Sequence, residues 1–204
     1  MKRMGDDKFT LNDVEMLFDL QDFWEYYASD ILNSGVRGAI AEFIVNKALN
    51  VSIFMRGWQP FDVIYGAYRI EVKSSAFVHS TTTDKLSRPV FNISKRQVFL
   101  DETKWTQPKR NSDYYIFALF ACKDVREADT MKLDQWEFYI VPTSYLNENY
   151  DNSKTISLSV VQSIGKKATY STLRDTLNDL ILSIEGDASC SVKISGETEE
   201  GESE

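Results

Sequence analysis

Two acidic residues and a lysine lie close together in a stretch whose pattern is that of β-structure. Asp62 precedes Gly66, while Glu71 and Lys73 follow it and are separated from each other by one residue. Gly66 stands between two runs rich in Val, Ile, Tyr and Phe, which is typical of a β-hairpin. Two carboxylates that converge across a hairpin offer the oxygen ligands that Mg²⁺ prefers. The spacing therefore predicts a site for a hard cation, with Lys73 beside whatever the cation binds.

The second arm of this hairpin alternates between apolar and polar residues, so its two faces differ. A half-buried strand would carry neutral polar groups or scattered charges opposite its apolar face, whereas here an acid and a base stand two residues apart. The alternative explanation is an ordinary exposed ion pair, which contributes at most about 1 kcal/mol. The apolar positions are Tyr68, Ile70 and Val72, and the polar positions are Arg69, Glu71, Lys73 and Ser75.

The sequence from Asp62 to Glu71-Val72-Lys73 resembles the signature of the PD-(D/E)xK nuclease superfamily, which has the restriction-endonuclease-like fold. In that family a helix carrying a glutamate precedes the hairpin, and the apolar segment 38–49 contains Glu42 at this place. Pro60 stands two places before Asp62 instead of directly before it, which leaves Asp62 usable as a ligand. The resemblance covers about residues 36–142.

The resemblance implies a metal-dependent nuclease that hydrolyses phosphodiester bonds, a DNA endonuclease of restriction, defence or repair type. Asp62, Glu71 and the main-chain carbonyl of Val72 would hold Mg²⁺ or Mn²⁺. Glu42 would hold a second ion or a water molecule, unless it is only paired with Asn46 or Arg37, the partners that its own segment offers. Lys73 would orient the attacking water. One metal ion or two, and endonuclease or exonuclease action, stay open.

Basic residues after the hairpin are candidates for contacts with phosphate, although a solvated surface is the simpler explanation for each. The segment Ser94–Gln97 matches a helix capping box, which predicts that a helix begins there and gives Gln97 a structural role. Gln97 is also a possible auxiliary residue of the site. The candidate nucleic-acid-binding residues are Lys95, Arg96, Lys109, Arg110, Lys166 and Lys167.

Composition and charge narrow the function further. The chain of 204 residues has a net charge of −8, but residues 185–204 hold seven acids and one base, which leaves a net of −2 for residues 1–184. A nearly neutral protein can bind DNA through local basic patches, and RNA is the alternative partner. The one histidine, His79, does not suffice for a Ser-His-Asp triad or for a zinc site with several histidines. No apolar run is long enough to span a membrane, and we expect a cytoplasmic protein.

The pattern of elements predicts an α/β fold, in which a central mixed β-sheet is flanked by helices. A capping box at Thr10–Asp13 predicts an extra N-terminal helix from about Leu11 to Ile31, whose aromatic residues either pack on the core or form a homodimer or partner surface. We expect one domain over residues 1–184 and a disordered acidic tail over residues 185–204. The predicted strands after the hairpin are 89–93, 114–121, 136–141 and 155–160, and the predicted C-terminal helix is 171–184.

Two other readings of the same sequence belong to different functional classes. The domain could keep the nuclease fold and bind nucleic acid or protein as a catalytically inactive subunit. It could instead be an unrelated α/β protein whose aromatic N-terminal helix serves assembly. The complete set of two acids and a lysine argues against an inactive subunit, and metal binding would separate both from a nuclease.

Overall fold

The structure is a computed structural model and describes residues 3–51, 59–83, 85–101 and 104–196. The strands are β1 (Lys8–Leu11), β2 (Val14–Asp19), β3 (Val63–Tyr65), β4 (Tyr68–Ala76), β5 (Val90–Asn92), β6 (Phe99–Asp101), β7 (Lys104–Trp105), β8 (Tyr114–Phe120), β9 (Trp136–Pro142), β10 (Thr155–Ser157) and β11 (Lys166–Ala168). The helices are α1 (Leu20–Ala28), α2 (Ser34–Ala48), α3 (Thr143–Asn149), α4 (Leu158–Ile164) and α5 (Leu173–Gly196). None of the helices in these ranges has the length and apolar character that crossing a membrane requires.

The centre of the fold is a mixed five-stranded sheet in the order β11-β9-β8-β4-β3, which confirms the predicted α/β class. β4 runs parallel to β8 over residues 70–76 and 114–120, and the other neighbouring pairs are antiparallel. The predicted β3–β4 hairpin is present, and Gly66 at its turn has a φ of +60°, a conformation that glycine adopts without strain. The hairpin therefore places the candidate acids on an edge strand and on its inner neighbour.

Both faces of the sheet are covered. Helices α2 and α5 pack on one face against Ile70, Val72 and the alternate residues of β8 and β9. The β5–β10 ribbon and helix α4 pack on the other face against Phe117 and Tyr139. On the polar side of β4, Glu71 and Ser75 are buried and Lys73 is half-buried, whereas Arg69 is exposed. Glu71 is only 6% exposed, so the exposed ion pair considered from the sequence is wrong.

The N-terminal prediction was wrong for residues 11–19, which form the second half of a β-hairpin instead of a helix. Asn12 and Asp13 form its turn with φ angles of 51° and 63°, a conformation that Asn and Asp tolerate better than most residues. Helix α1 begins after Asp19, whose side chain accepts from the Asp22 main-chain N–H in a complete capping box. The capping-box pattern at Thr10 therefore does not start a helix, because Asn12 and Asp13 form a turn. The capping box of Asp19 and Asp22 starts a shorter helix instead.

The helix predicted at Ser94 is also absent. The Ser94 main-chain N–H donates to Asn92 Oδ1 at 2.9 Å, and its hydroxyl donates to the Lys154 carbonyl at 3.2 Å, so neither group caps a helix. Arg96 instead pairs with Lys109 in an isolated antiparallel bridge, and the chain continues into the β6–β7 hairpin. Main-chain pairing between Arg96 and Lys109 has here overridden a local helix signal.

Three boundaries near the C-terminus also differ from the prediction. The strand predicted from Thr155 to residue 160 ends at Ser157, where α4 begins, and helix α5 begins at Leu173, two residues after its predicted start. Helix α5 continues beyond its predicted end at Ile184 as far as Gly196, and the Tyr68 hydroxyl donates to Glu185. A disordered tail from residue 185 does not agree with this helical backbone. It stays a prediction for residues 197–204, which lie outside the described residues, as does the single-domain boundary.

Arg110, predicted to contact nucleic acid, has a structural role. Its side chain is buried, and its three nitrogens donate to surrounding acceptors at 2.8–3.5 Å. A buried guanidinium that is fully engaged with main-chain carbonyls is not available to a phosphate. The acceptors are the carbonyls of Ile93, Leu146, Tyr150 and Ser153 and the side-chain oxygen of Asn147.

Arg110→Ala should lower the free energy of unfolding by about 2–4 kcal/mol, because it leaves several buried carbonyls without a donor. Lys109→Ala is the matched control: its side chain is exposed and its pairing with Arg96 uses only main-chain atoms, so stability should change by less than about 0.5 kcal/mol. Urea denaturation measures both. Equal stability of the Arg110→Ala protein and the wild type would contradict the structural role.

Candidate active site

The carboxylate of Asp62 is fixed by the hairpin that it precedes. The Asp62 main-chain N–H donates to the Ile70 carbonyl at 2.9 Å, and Asp62 Oδ2 accepts from the Val72 main-chain N–H at 2.7 Å. β3 begins at Val63, so no β3 residue is paired with Val72. The Asp62 carboxylate thus accepts the hydrogen bond that a main-chain carbonyl of a longer β3 would accept. The N–H and C=O of one strand residue point to the same edge, so the Val72 carbonyl points towards the edge that Asp62 occupies.

Glu71 and Lys73 project from the same face of β4, where they form an ion pair. Lys73 Nζ donates to Glu71 Oε1, and Arg96 Nη1 lies 3.9 Å from the same oxygen. The neighbouring residue across β8 is Tyr115, which pairs with Glu71 in the ladder. Glu71 therefore has two cations at one oxygen and an aromatic ring on its sheet neighbour.

Glu42 reaches this region from helix α2, and its carboxylate does not use the two partners that its own segment offers. Asn46 Nδ2 donates to the main-chain carbonyl of Glu42 at 2.9 Å and not to its carboxylate. Arg37 is committed elsewhere: its guanidinium donates to the Leu32 carbonyl at 3.1 Å and lies 3.0 Å from His79 Nδ1. Pairing of the Glu42 carboxylate with Asn46 or with Arg37 therefore does not explain why this glutamate is half-buried.

The pKa values show that the three acids act on one another. The pKa of Glu42 is raised to about 7, mainly by burial and then by the charge of Asp62, with Lys73 opposing the shift. The pKa of Glu71 is also raised, again first by burial and then by Asp62, while Lys73 opposes. Burial and the charge of Asp62 therefore disfavour the ionised forms of Glu42 and Glu71, while the charge of Lys73 favours them.

The donor set of this cluster suits a small hard cation. Asp62, Glu71 and the Val72 carbonyl offer oxygen atoms only, and a bound cation would offset the burial that raises the pKa of Glu71. Within the described ranges, however, no group of three or more His, Cys, Asp or Glu side chains meets the geometry of a metal site. Asp62, Glu71 and the Val72 carbonyl are the oxygen ligands that would hold a cation here, and Glu42 is the acid on the helix that packs against β4.

The other basic candidates divide by their position. Lys95 pairs with Asp151 at 2.6 Å, whereas Arg96 is exposed and lies beside Glu71. Lys166 and Lys167 are in β11, which β8 and β9 separate from β4, and Lys167 pairs with Glu137 at 2.7 Å. Gln97 and Lys109 are exposed: Gln97 follows Arg96 in the chain, and Lys109 pairs with Arg96 through the main chain. Arg96 is thus the cation from this set that the structure brings to the acids.

Two features beside the acids were not anticipated from the sequence. The pKa of Tyr115 is raised to about 12 by burial and by the charge of Glu71. Arg37, only 3% exposed, connects helix α2 to Ser74 and His79, and burial together with the Arg37 charge lowers the pKa of His79. Neither feature has a signal in the local sequence. The position of Tyr115 beside Glu71 depends on the β4–β8 register, and the contacts of Arg37 join segments that are far apart in the chain.

Comparison of the chain with protein-family models, with curated proteins and with solved structures found no significant match. The functional assignment therefore depends on the geometry and electrostatics of the site itself.

Glu42→Gln should make stability less dependent on pH. The pKa of Glu42 in the folded protein, about 7, is above its ordinary value of 4.5, so the native state binds more protons between these values. The free energy of unfolding of the wild type should therefore fall as pH rises through this window. Measured in chelator, the variant should be more stable than the wild type at pH 8 by about 1 kcal/mol, a figure reduced for partial exposure, and should lose this advantage near pH 4.5.

The matched control is Glu148→Gln, a change to an exposed glutamate on α3. Its difference from the wild type should stay constant over the same range. Parallel pH profiles for the wild type and Glu42→Gln would show that Glu42 is not perturbed by the other acids.

Proposed function

We propose that this chain is a metal-dependent nuclease of the PD-(D/E)xK type with a restriction-endonuclease-like core, and that it hydrolyses phosphodiester bonds in DNA. The observation that supports this most directly is the convergence at one hairpin of Asp62, Glu71 and Lys73, in electrostatic contact with Glu42 from the preceding helix. These are the residues, in the order and on the elements, that the sequence resemblance requires. Such an enzyme acts on DNA inside the cell, and we place it in the cytoplasm.

Each residue has a role that follows from its position. Asp62, Glu71 and the Val72 carbonyl would hold Mg²⁺ or Mn²⁺, and Glu42 would hold a second ion or a water. A divalent cation supplies Lewis-acid polarisation of a phosphate oxygen and lowers the pKa of water. Lys73 directs its ammonium group to Glu71 and can hold a water or a phosphate oxygen at the same place. Its positive charge would stabilise hydroxide relative to water, which favours attack on phosphorus.

Charge is compatible with a DNA partner. The described residues nearest the acids include the exposed Arg96, and Lys109 pairs with it through the main chain. RNA has the same phosphodiester backbone and is the alternative substrate. An inactive binding subunit with the same fold is the second candidate, but it gives no reason for a desolvated pair of acids, which destabilises the protein unless a cation binds.

Cleavage should require Mg²⁺ or Mn²⁺ and disappear in chelator. Lys73→Ala should lower the single-turnover rate on duplex or single-stranded DNA by about 10²–10⁴-fold, the usual contribution of a residue that assists proton transfer. Its affinity for Mg²⁺, measured by calorimetry, should change little. Asp62→Ala should lose metal binding and cleavage together.

Lys132→Ala is the matched control, since Lys132 is an exposed lysine outside the site, and it should cleave like the wild type. Undiminished cleavage in EDTA, or by the Lys73→Ala protein, would contradict the proposed mechanism. Metal binding without any cleavage of DNA or RNA would favour the inactive subunit.

The N-terminal arm, defined as residues 3–28 with β1, β2 and α1, supports a further proposal about assembly. None of residues 3–36 is buried, although a two-stranded hairpin and a nine-residue helix are each marginally stable alone. The arm nevertheless exposes many large apolar side chains. They are Met4, Phe9, Leu11, Val14, Leu17, Phe18, Phe23, Trp24, Tyr26 and Tyr27.

We propose that a second copy of the chain covers the arm in a homodimer. Side chains of this size bury 150–250 Å² when fully covered, so the arm offers roughly 1,000 Å², close to one partner's share of a stable interface. Residues 3–31 hold two bases against eight acids, while residues 32–196, which include the whole of α5, hold twenty bases against eighteen acids. An arm that packs on the body of the other copy brings opposite net charges together.

Leu17→Asp should convert the dimer into a monomer without reducing the stability of the domain, because Leu17 is 99% exposed within one chain. Sedimentation equilibrium at micromolar concentration measures the change. Leu182→Asp is the control: Leu182 is 66% exposed on α5, away from the arm in sequence, and the variant should remain dimeric. A monomeric wild type would show that a second copy does not cover the arm.

A further inference from the structure

A cavity of about 630 Å³ adjoins the candidate active site. Arg96, which lines it, has Nη1 3.9 Å from Glu71 Oε1, and the lining residues Gln59 and Pro60 directly precede the segment of Asp62. A molecule bound in the cavity would therefore lie next to the acids and Lys73. The described lining residues are Gln59, Pro60, Arg96, Gln97, Val98, Trp105 and Asn111.

The chemistry of this lining is specific. It contains three side-chain amides, one guanidinium and one indole, and no carboxylate among its described residues. Amides offer both a donor and an acceptor, which is how Asn and Gln recognise the edge of a nucleobase. An indole offers a flat face on which a base can stack, with a sequence-tolerant gain in affinity. The lining thus suits a planar heterocycle that is attached to a phosphate.

The β6–β7 hairpin holds the indole at this position. Trp105 pairs with Phe99, and the Thr106 main-chain N–H donates to the Val98 carbonyl at 2.9 Å while its hydroxyl accepts from the Val98 N–H at 2.8 Å. At the base of the hairpin, Arg96 and Lys109 exchange two main-chain hydrogen bonds. Trp105 is 60% exposed and lines the cavity.

The amide of Asn111 is oriented by the same hairpin. Its Nδ2 donates to the main-chain carbonyls of Lys109 and Arg96, at 3.2 and 3.4 Å. The side-chain oxygen takes no part in these two bonds. Gln97 is exposed and lines the same cavity. Two amides and an aromatic ring thus line the cavity beside the paired segments that carry Arg96 and Lys109.

We propose that this cavity binds one unpaired nucleobase of the substrate, stacked on Trp105 and contacted along its edge by Gln97 and Asn111. The proposal rests on the proposed nuclease function and specifies its substrate. A base inside a duplex is stacked on both sides and paired along its edge, so only an unpaired or extruded base can occupy the cavity. The enzyme therefore prefers single-stranded DNA, or duplex DNA with an unpaired base beside the scissile phosphate.

The test measures binding, so that it does not depend on turnover. Fluorescence anisotropy gives the affinity for a labelled twelve-nucleotide single strand and for the duplex of the same sequence, with Ca²⁺ and again with chelator. The wild type should bind the single strand more tightly than the duplex. Trp105→Ala should weaken single-strand binding by about 5- to 100-fold, the range of one base–aromatic stacking contact, and leave duplex binding almost unchanged.

Two further variants separate stacking from a loss of folding. Trp105→Phe retains a ring and should keep most of the single-strand affinity. Tyr145→Ala removes an exposed aromatic side chain on α3 that does not line the cavity, and it should bind like the wild type. The melting temperature of each variant shows that the domain is folded.

The outcomes distinguish this proposal from the proposed function. Equal affinity for single strand and duplex, or unchanged binding by Trp105→Ala, would overturn the base site and leave the nuclease assignment intact if the wild type cleaves DNA. Binding of the single strand that depends on Trp105, without any cleavage, would support the base site and contradict the nuclease.

Discussion

The burial of charge on β4 is the constraint on which the other features of the site depend. β4 pairs with both the edge strand β3 and the parallel strand β8, and layers of structure cover both of its faces. A carboxylate at Glu71 therefore loses most of its water, and the nearby Asp62 charge disfavours its ionised form further. The ionised form of a buried acid of this kind is stabilised by cations, from the protein or from solution.

Because β3 is short, the main-chain groups of β4 beside the buried acids are left without a strand partner and can contribute to a cation site. Because β3 begins at Val63, the edge of β4 beside Val72 has no strand partner, and the Asp62 carboxylate accepts the hydrogen bond that a main-chain carbonyl would otherwise accept. The same residue is thus a structural cap and a candidate ligand. A longer β3 would pair the Val72 carbonyl and remove it from the site.

Hydrogen bonds of Arg110 and Lys109 connect the segments around the site. The buried guanidinium of Arg110 ties the end of the β6–β7 connection to β5 and to the segment after α3. Its neighbour Lys109 pairs with Arg96, which in turn approaches Glu71. Arg110 thereby contributes to the placement of Arg96 and of the cavity, although it contacts neither the acids nor the cavity. The N-terminal arm makes no comparable contribution, since none of its residues is buried.

The sequence by itself determined the elements whose signals are local. The β3–β4 hairpin followed from Gly66 and the alternation beside it, and the strands β8 and β9 followed from apolar runs long enough to cross a covered sheet. It also placed Glu71 and Lys73 on one face of the second arm of the hairpin, because residues two apart in a strand share a face. The resemblance added Glu42 on the preceding helix and Asp62 before the hairpin. Only the tertiary structure decided the burial of Glu71 and the structural role of Arg110. The cap at Ser94 likewise gave way to pairing between Arg96 and Lys109. These outcomes depend on contacts between residues far apart in the chain, and such contacts determine desolvation and outweigh propensities worth less than about 1 kcal/mol per residue.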